Sequence, residues 1–169
     1  MKIFLTGFAG SGKSFLGLHT SRLLKTPFTD TDLVIESEMG ETIHEIFRSR
    51  GENFFRTKEA EVIRSFSQKR NGLISVGGGL PCHHDNMQWM NEHGLTVYLE
   101  ASAAFLFHRL LKEKKSRPLL SDLSDIELMI YITETLAARR SIYEQSQLKV
   151  NAENATPAKL LSLLNKKLK

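Results

Sequence analysis

The feature of the sequence that most directly indicates chemistry is a glycine-rich segment near its start. Residues 7–14, Gly-Phe-Ala-Gly-Ser-Gly-Lys-Ser, match the pattern G-x-x-x-x-G-K-[ST] at every fixed position. Its glycines let the backbone wrap closely around phosphate oxygens. We expect Lys13 to bridge the β- and γ-phosphates of a nucleoside triphosphate, and the Ser14 hydroxyl to ligate Mg²⁺. The backbone donors expected at the phosphates belong to Gly10, Ser11 and Gly12.

Two aspartates are candidates to complete this site. Asp30-Thr31-Asp32 ends a short apolar run, and a carboxylate at a strand end commonly holds Mg²⁺ through water. One carboxylate would serve the metal, while the other would accept the proton of a substrate hydroxyl or hold that hydroxyl in line. Taken alone, Asp32 is better explained as the N-cap of a helix that begins at Leu33.

The elements that must position these residues alternate between short apolar runs and helical patterns. Strands are predicted at 3–6, 28–30, 73–76, 96–99 and 148–150. Helices are predicted at 13–24, 33–69 (broken near Gly40 and Gly51), 86–92, 103–112 and 157–168. In the first helix we expect Leu16, Leu23 and Leu24 to face inward. This order predicts an α/β fold in three layers, α/β/α, in which helices cover both faces of a parallel sheet.

Length and composition bound the domain count and the partners. A chain of 169 residues with 41% hydrophobic residues is expected to form one domain, 1–169, that buries a core without disulfides. Its single cysteine, Cys82, fits a reducing compartment. No window approaches about 20 apolar residues, and no signal-peptide pattern precedes the glycine-rich segment. We therefore expect a cytoplasmic protein with no membrane partner.

The charge balance is basic, with a net charge of +4. The basic residues are spread along the chain and form no stripe with aromatic residues, so we expect no nucleic-acid partner. A protein that holds a polyphosphate and an anionic substrate would also be basic. The polar segment 112–125, which contains Pro118, is a candidate mobile lid, and a plain surface loop fits its composition equally well.

Several further segments, taken together and in order, resemble the shikimate kinase family. They cover most of the chain and comprise 28–32 (FTDTD), Ile35-Glu36, Gly40, 43–47 (IHEIF), 51–56 (GENFFR), 77–79 (GGG), 117–120 (RPLL), and Arg139 four residues before Tyr143. Two positions depart from the pattern. Ser141 stands where the family usually has proline, and Arg140 is an alternative to Arg139.

The resemblance implies a nucleoside-monophosphate-kinase type of P-loop fold with a central five-stranded parallel sheet. It also implies phosphorylation of shikimate by ATP, a step of chorismate and aromatic amino-acid biosynthesis, with Mg²⁺ as cofactor. The segment 33–61 would be the substrate-binding helical region, and we expect a monomer.

The same resemblance assigns roles to individual residues. Asp30 would belong to the water-mediated metal shell, and Asp32 would act on the reacting hydroxyl. Arg56 and Arg139 would bind the substrate carboxylate, as paired guanidinium groups do well. The backbone of Gly77, Gly78 and Gly79 would lie against the substrate and the γ-phosphate. Arg117 would be the lid cation that covers the phosphates, and Arg109 and Pro157 would lie on either side of adenine.

The residues alone are also compatible with two other functions. Another small-molecule kinase, for gluconate or a nucleotide, would use the same glycine-rich segment, 7–14, as its phosphate loop. A nucleotide-binding regulatory module without transfer activity would share the fold, since fold does not settle function. Such a module would be expected to have lost some of the site residues, and here all of them are present.

Overall fold

The computed structural model describes residues 1–67, 71–114, 120 and 122–167. In this part of the chain the strands are β1 (Lys2–Thr6), β2 (Phe28–Asp30), β3 (Gly72–Ser75), β4 (Leu95–Glu100) and β5 (Leu148–Asn151). The α-helices are α1 (Lys13–Leu24), α2 (Thr31–Met39), α3 (Ile43–Ser65), α4 (Asn86–His93), α5 (Ala103–Glu113), α6 (Asp125–Tyr143) and α7 (Pro157–Lys167). Short 3₁₀ turns lie at Leu80–Cys82 and Ala152–Asn154.

All five strands run parallel in one sheet, as predicted, and their order in the sheet is β2-β3-β1-β4-β5. The central strand β1 pairs with β3 on one side and β4 on the other, so that Phe4 lies opposite Ile74 and Thr96. Because the strands are parallel, their carboxyl ends meet at one edge of the sheet. The phosphate loop after β1, the aspartates at and just beyond the end of β2, and the glycines after β3 are therefore neighbours in space.

Alternate side chains of the strands supply two hydrophobic clusters, one on each face of the sheet. Ile3 and Leu5 belong to the cluster formed with α1, α5, α6 and α7. Phe4 and Ile74 belong to the cluster formed with α2, α3 and α4. The period-2 alternation of a strand thus gives the predicted three-layer arrangement of helices, sheet and helices.

Helix α1 has the predicted bounds, but one of its predicted core residues is wrong. Leu16 is buried, whereas Leu23 is 52% exposed. The buried face is centred on the small residues Gly17, Thr20 and Ser21. A Cβ on Gly17 would lie 2.5 Å from the ring of Phe28, so this face lies close to the sheet. Leu23 falls beside that face and not on it.

The predicted helix 33–69 is two helices with a further break, at the glycines that the sequence indicated. Helix α2 ends at Gly40, and Gly51 (φ 81°, ψ 171°) interrupts α3. The N-cap of α2 is Asp30, whose side chain accepts from the backbone N–H of Asp32. The expectation that Asp32 is the cap is wrong, because the helix begins two residues earlier than predicted.

The predicted lid, 112–125, lies between α5 and α6. Residues 115–119 and 121 are outside the described part of the chain, and Arg117 is one of them. Helix α6 begins with a capping box in which Ser124 and Glu127 exchange side-chain and backbone hydrogen bonds. Among the helices of the described residues, none is long and apolar enough to cross a membrane.

Candidate active site

A cleft of about 290 Å³ opens at the carboxyl edge of the sheet. The carboxyl ends of β2 and β3 and the segments that follow β1, β2 and β3 form most of its wall, as expected for this topology. The residues that line it are Ala9, Gly10, Gly12, Lys13, Ser14, Phe15, Asp30, Asp32, Ser75, Val76, Gly77, Gly78, Arg109 and Glu113. The phosphate-loop residues and both aspartates therefore share one cleft.

The phosphate loop connects β1 to α1 and places its lysine inside the fold. Gly10 and Gly12 have φ angles of +81° and +93°, which favour glycine. The Lys13 ammonium group donates to the carbonyls of Gly7 at 2.8 Å and Phe8 at 2.9 Å. Lys13 is only 8% exposed, so its positive charge lies within the loop and not in solvent. The N-terminus of α1 adds the positive end of a helix dipole at the same point.

Oxygen atoms beside the loop have the chemistry of a magnesium site. The Ser14 hydroxyl donates to Asp30 Oδ2 at 2.6 Å, and the Ser75 hydroxyl lies 3.4 Å from that of Ser14. Mg²⁺ prefers a few hard oxygen ligands and keeps several waters, so Ser14 and Asp30 fit it. Among the described residues no cluster of three or more His, Cys, Asp or Glu side chains is placed to hold a metal ion.

A second carboxyl group lies near Asp32, beside the three consecutive glycines Gly77–Gly79, which form the glycine segment. Glu59 on α3 is 1% exposed. A Cβ on Gly77 would lie 2.6 Å from Glu59 Oε1 and 2.8 Å from Asp32 Oδ1, so these two oxygens are at most 5.4 Å apart, the sum of those distances. Burial raises the pKa of Glu59 to about 7, with Asp32 adding to the rise and Arg56 and Arg139 opposing it.

The Arg56 guanidinium group is held on several sides. Its Nη1 donates to Glu59 Oε2 at 2.7 Å, while Nε and Nη2 donate to Glu52 Oε1 at 3.1 and 2.9 Å. A Cβ on Gly79 would lie only 2.5–2.7 Å from its Nη1, Cζ and Nη2 atoms. Burial disfavours the charged form, yet the pKa of Arg56 is raised because the charges of Glu59 and Glu52 outweigh burial.

Arg139 of α6 lies beside the same three glycines, Gly77–Gly79. Its Cζ lies 5.8 Å from the ring centroid of Phe8, and a Cβ on Gly78 would be 3.7 Å from its Nη1. Arg140 is exposed to solvent. The buried Tyr143, one turn later, donates its hydroxyl to the Gly78 carbonyl at 2.5 Å. The fold thus brings Arg139, and not Arg140, to the glycines.

The two residues expected around adenine are placed differently. Arg109 lines the cleft, and a Cβ on Gly12 would lie 3.3 Å from its Nη1. Its Cζ lies 5.5 Å from the Phe105 ring centroid. Pro157 is half-buried at the start of α7 and is not among the described residues that line the cleft. The pairing of Arg109 with Pro157 around a base stays a prediction.

Sequence reasoning missed some residues that the fold brings to the site. Ser75 is a polar residue at the end of an apolar strand, and this contrast was the available signal. Glu52 is four residues before Arg56, the helical spacing at which side chains meet. Tyr143 carried no signal of its contact with Gly78, which lies 65 residues away in the sequence. Glu113 had no local signal either, since only the fold brings α5 to the cleft.

Comparisons with known proteins all point to one family. The family model for shikimate kinase matches residues 9–169. A shikimate kinase of Bacteroides thetaiotaomicron is 42% identical over 153 residues, which are 90% of this chain and 87% of that protein. A crystal structure of shikimate kinase from Bacteroides thetaiotaomicron superposes with a TM-score of 0.92 at 38% identity, covering 99% of this chain and 98% of that one.

A second solved structure, shikimate kinase from Acinetobacter baumannii in complex with shikimate, gives a TM-score of 0.87 at 29% identity. It covers 99% of this chain and 95% of that one. Sequence and structure are therefore similar over nearly the whole length, and the match includes the glycine-rich loop from Ala9 onward. This chain belongs to the shikimate kinase family.

Proposed function

We propose that this chain transfers the γ-phosphoryl group of ATP to the 3-hydroxyl of shikimate, giving ADP and shikimate 3-phosphate. The observation that carries this proposal is the meeting of three groups at one edge of the sheet. They are a phosphate loop with its lysine, an aspartate that lines the same cleft, and two arginines at the adjoining glycine segment. A related protein, from Acinetobacter baumannii, has been crystallised with shikimate.

The phosphate loop would hold the triphosphate. Its backbone N–H groups, including those of Gly10, Ser11 and Gly12, would surround the phosphates, and Lys13 would neutralise charge that develops on the transferred group. Ser14 and Asp30 would hold Mg²⁺, Asp30 through water. When bound, the metal would supply charge neutralisation between the β- and γ-phosphates.

The acceptor hydroxyl would be aligned by Asp32. Its carboxylate lines the same cleft as the phosphate loop, and it would hold the hydroxyl in line with the γ-phosphorus. An aspartate there can accept the hydroxyl proton as the new oxygen–phosphorus bond forms. In phosphoryl transfer most of the rate acceleration comes from such positioning and from electrostatic stabilisation.

Arg56 and Arg139 would bind the carboxylate of the acceptor. Arg139 lies beside Gly78 and Arg56 beside Gly79, and Arg56 is already fixed by two glutamates. Charge-assisted hydrogen bonds from two guanidinium groups select a carboxylate, and the nearby glycine backbone lets the ligand approach closely. A polyhydroxy carboxylate therefore fits this site better than a second nucleotide base.

The remaining expectations extend this proposal. Arg117 would close over the phosphates to exclude water and so limit wasteful hydrolysis of ATP. Arg109 and Pro157 would contact adenine. We further propose that the enzyme acts as a monomer, without nucleic-acid or membrane partners. We also propose that it acts in the cytoplasm, since a single half-buried cysteine fits a reducing compartment.

The experiment that tests this function measures ADP production from Mg·ATP with shikimate, quinate or gluconate as acceptor. We expect turnover with shikimate and little with the other two acids. Turnover only with gluconate or quinate would keep the kinase and overturn the acceptor. Tight ATP binding without ADP release in the presence of any of the acids would favour the regulatory-module reading.

A further inference from the structure

Glu59 is a buried acid whose role extends beyond holding Arg56. One of its oxygens, Oε2, accepts from Arg56 Nη1 at 2.7 Å. The other, Oε1, is buried and has no hydrogen-bond partner among the described residues. It points to the Gly77 backbone, on the side where Asp32 Oδ1 also lies. A buried carboxylate with one unsatisfied oxygen is costly, and a proton on that oxygen lowers the cost.

The groups that face Glu59 come from four elements. They are Arg56 on its own helix, Asp32 on α2, Arg139 on α6 and Cys82 in the 3₁₀ turn. Two cations and one other acid therefore surround it. The proposed site for the acceptor carboxylate is at the same two arginines, so that a bound substrate adds one negative charge to this group.

We propose that Glu59 takes up a proton when the substrate carboxylate binds to Arg56 and Arg139, so that the substrate replaces Glu59 as the anion that neutralises Arg56. The geometry supports this exchange, because both carboxylates would share one guanidinium group. Arg56 has five N–H donors. Within the described residues three of them are used by Glu52 and Glu59, which leaves one on each terminal nitrogen for a substrate. This inference rests on the proposed function.

The size of the effect follows from the titration of Glu59. With a pKa of about 7 it is about half protonated at pH 7 without substrate. A negative charge within roughly 4–6 Å raises a carboxyl pKa by about one pH unit or more. Glu59 would then be about nine-tenths protonated in the complex, an uptake of roughly 0.4 proton. Since the complex binds more protons than the free enzyme, affinity for substrate falls as pH rises, about threefold between pH 7 and pH 8.

His83 is the other group that could take up a proton here. It faces Arg56, Glu52 and Arg139, and burial, together with the arginines, lowers its pKa below its ordinary value of 6.5. Its contribution should therefore be small at pH 8. The thiol of Cys82 has a raised pKa and is already protonated at that pH. Measurement at pH 8 thus separates Glu59 from both neighbours.

The test is isothermal titration calorimetry of shikimate binding at pH 7 and pH 8, in buffers with different ionisation enthalpies. We expect the wild type to take up about 0.4 proton per shikimate at both pH values, and Glu59→Gln to take up almost none. Glu52→Gln is the matched control, because it removes the exposed carboxylate from the same guanidinium group, and His83→Asn removes the competing base. Both should retain the uptake.

Binding of ADP by Glu59→Gln shows whether the variant is folded, and Glu59→Asp keeps a titrating carboxyl and should retain uptake. No proton uptake by the wild type, unchanged uptake in Glu59→Gln, or its loss in His83→Asn would each overturn the inference. Turnover of shikimate without proton uptake would refute only this inference. Absence of shikimate binding and turnover would instead refute the proposed function.

Discussion

Replacing Gly79 with alanine tests whether the glycine segment positions Arg56. A Cβ at this position would lie 2.5 Å from Arg56 Nη1 and 2.7 Å from Cζ and Nη2, whereas ordinary contacts begin at 3.4 Å. The guanidinium group must therefore move by about 1 Å. Gly79 has φ −88° and ψ −19°, a conformation that alanine adopts without strain. The effect should fall on Arg56 and leave the backbone unchanged.

The expected loss follows from the hydrogen bonds of the displaced group. A hydrogen bond to a charged group contributes about 1.5–3 kcal/mol, and a misplacement of about 1 Å can cost as much as 100-fold in activity. We therefore expect Gly79→Ala to raise the Kd and KM for shikimate about 10- to 100-fold. The KM for ATP should change less than about twofold, because Gly79 is not part of the phosphate loop.

A double-mutant cycle with Arg56→Ala decides whether the effect acts through the arginine. Once the guanidinium group is gone, the added methyl group has nothing to displace. In the Arg56→Ala background, Gly79→Ala should then cause little further change in the KM for shikimate. Such non-additive losses correspond to a large coupling energy between the two positions. Independent, additive losses, or a single variant with a wild-type shikimate KM, would refute this reasoning.

Four further outcomes follow from the same contacts. Lys13→Ala should lower kcat at least about 100-fold while the calorimetric Kd for shikimate changes little; a comparable loss of shikimate binding would contradict a phosphate role. Asp30→Asn should raise the Mg²⁺ concentration for half-maximal activity about tenfold or more, measured by metal titration at fixed ATP. Tyr143→Phe loses the hydrogen bond to the Gly78 carbonyl, about 1 kcal/mol, and should lower Tm by about 2–4 °C. Because the folded state raises the pKa of Glu59 to about 7, it binds that proton more tightly than the unfolded chain does. The stabilisation that this proton contributes is complete below about pH 4.5 and is lost as pH rises to about 7. The free energy of unfolding of the wild type in urea, relative to that of Glu59→Gln, should therefore fall by up to roughly 3 kcal/mol over that range.

Local sequence signals predicted most helices and strands, but not α6, although Ser124 and Glu127 form a capping box at its start. Helix α1 and strand β2 have the predicted bounds, and the breaks at Gly40 and Gly51 fall where glycine permits a left-handed backbone. The alternation of apolar strands with helices predicted that the strands run parallel, but it does not specify their order in the sheet, β2-β3-β1-β4-β5. Leu23 was wrong because hydrophobicity alone does not show which side of a helix approaches the sheet most closely.

The candidate site was predictable where its residues are adjacent in sequence. The phosphate loop and Asp30 with Asp32 were found from their spacing, and their shared cleft agrees with that prediction. The contact of Arg56 with Glu59, three residues later, is also of the local kind that helical spacing indicates. In contrast, the contact between Tyr143 and Gly78 depends on how α6 packs against the loop after β3, and no local pattern carries that information.

The three glycines after β3 explain how so many charged groups meet at one point. At this position, where a P-loop enzyme could place an acid, each glycine instead leaves room for a different neighbour. A Cβ on Gly77 would collide with Glu59 and Asp32, one on Gly78 would approach the backbone N of Ala9, and one on Gly79 would collide with Arg56. The acid that we propose to hold Mg²⁺, Asp30, is therefore supplied by the neighbouring strand β2, and the carboxyl end of β3 becomes the surface on which the phosphate loop, the acids and the arginines converge.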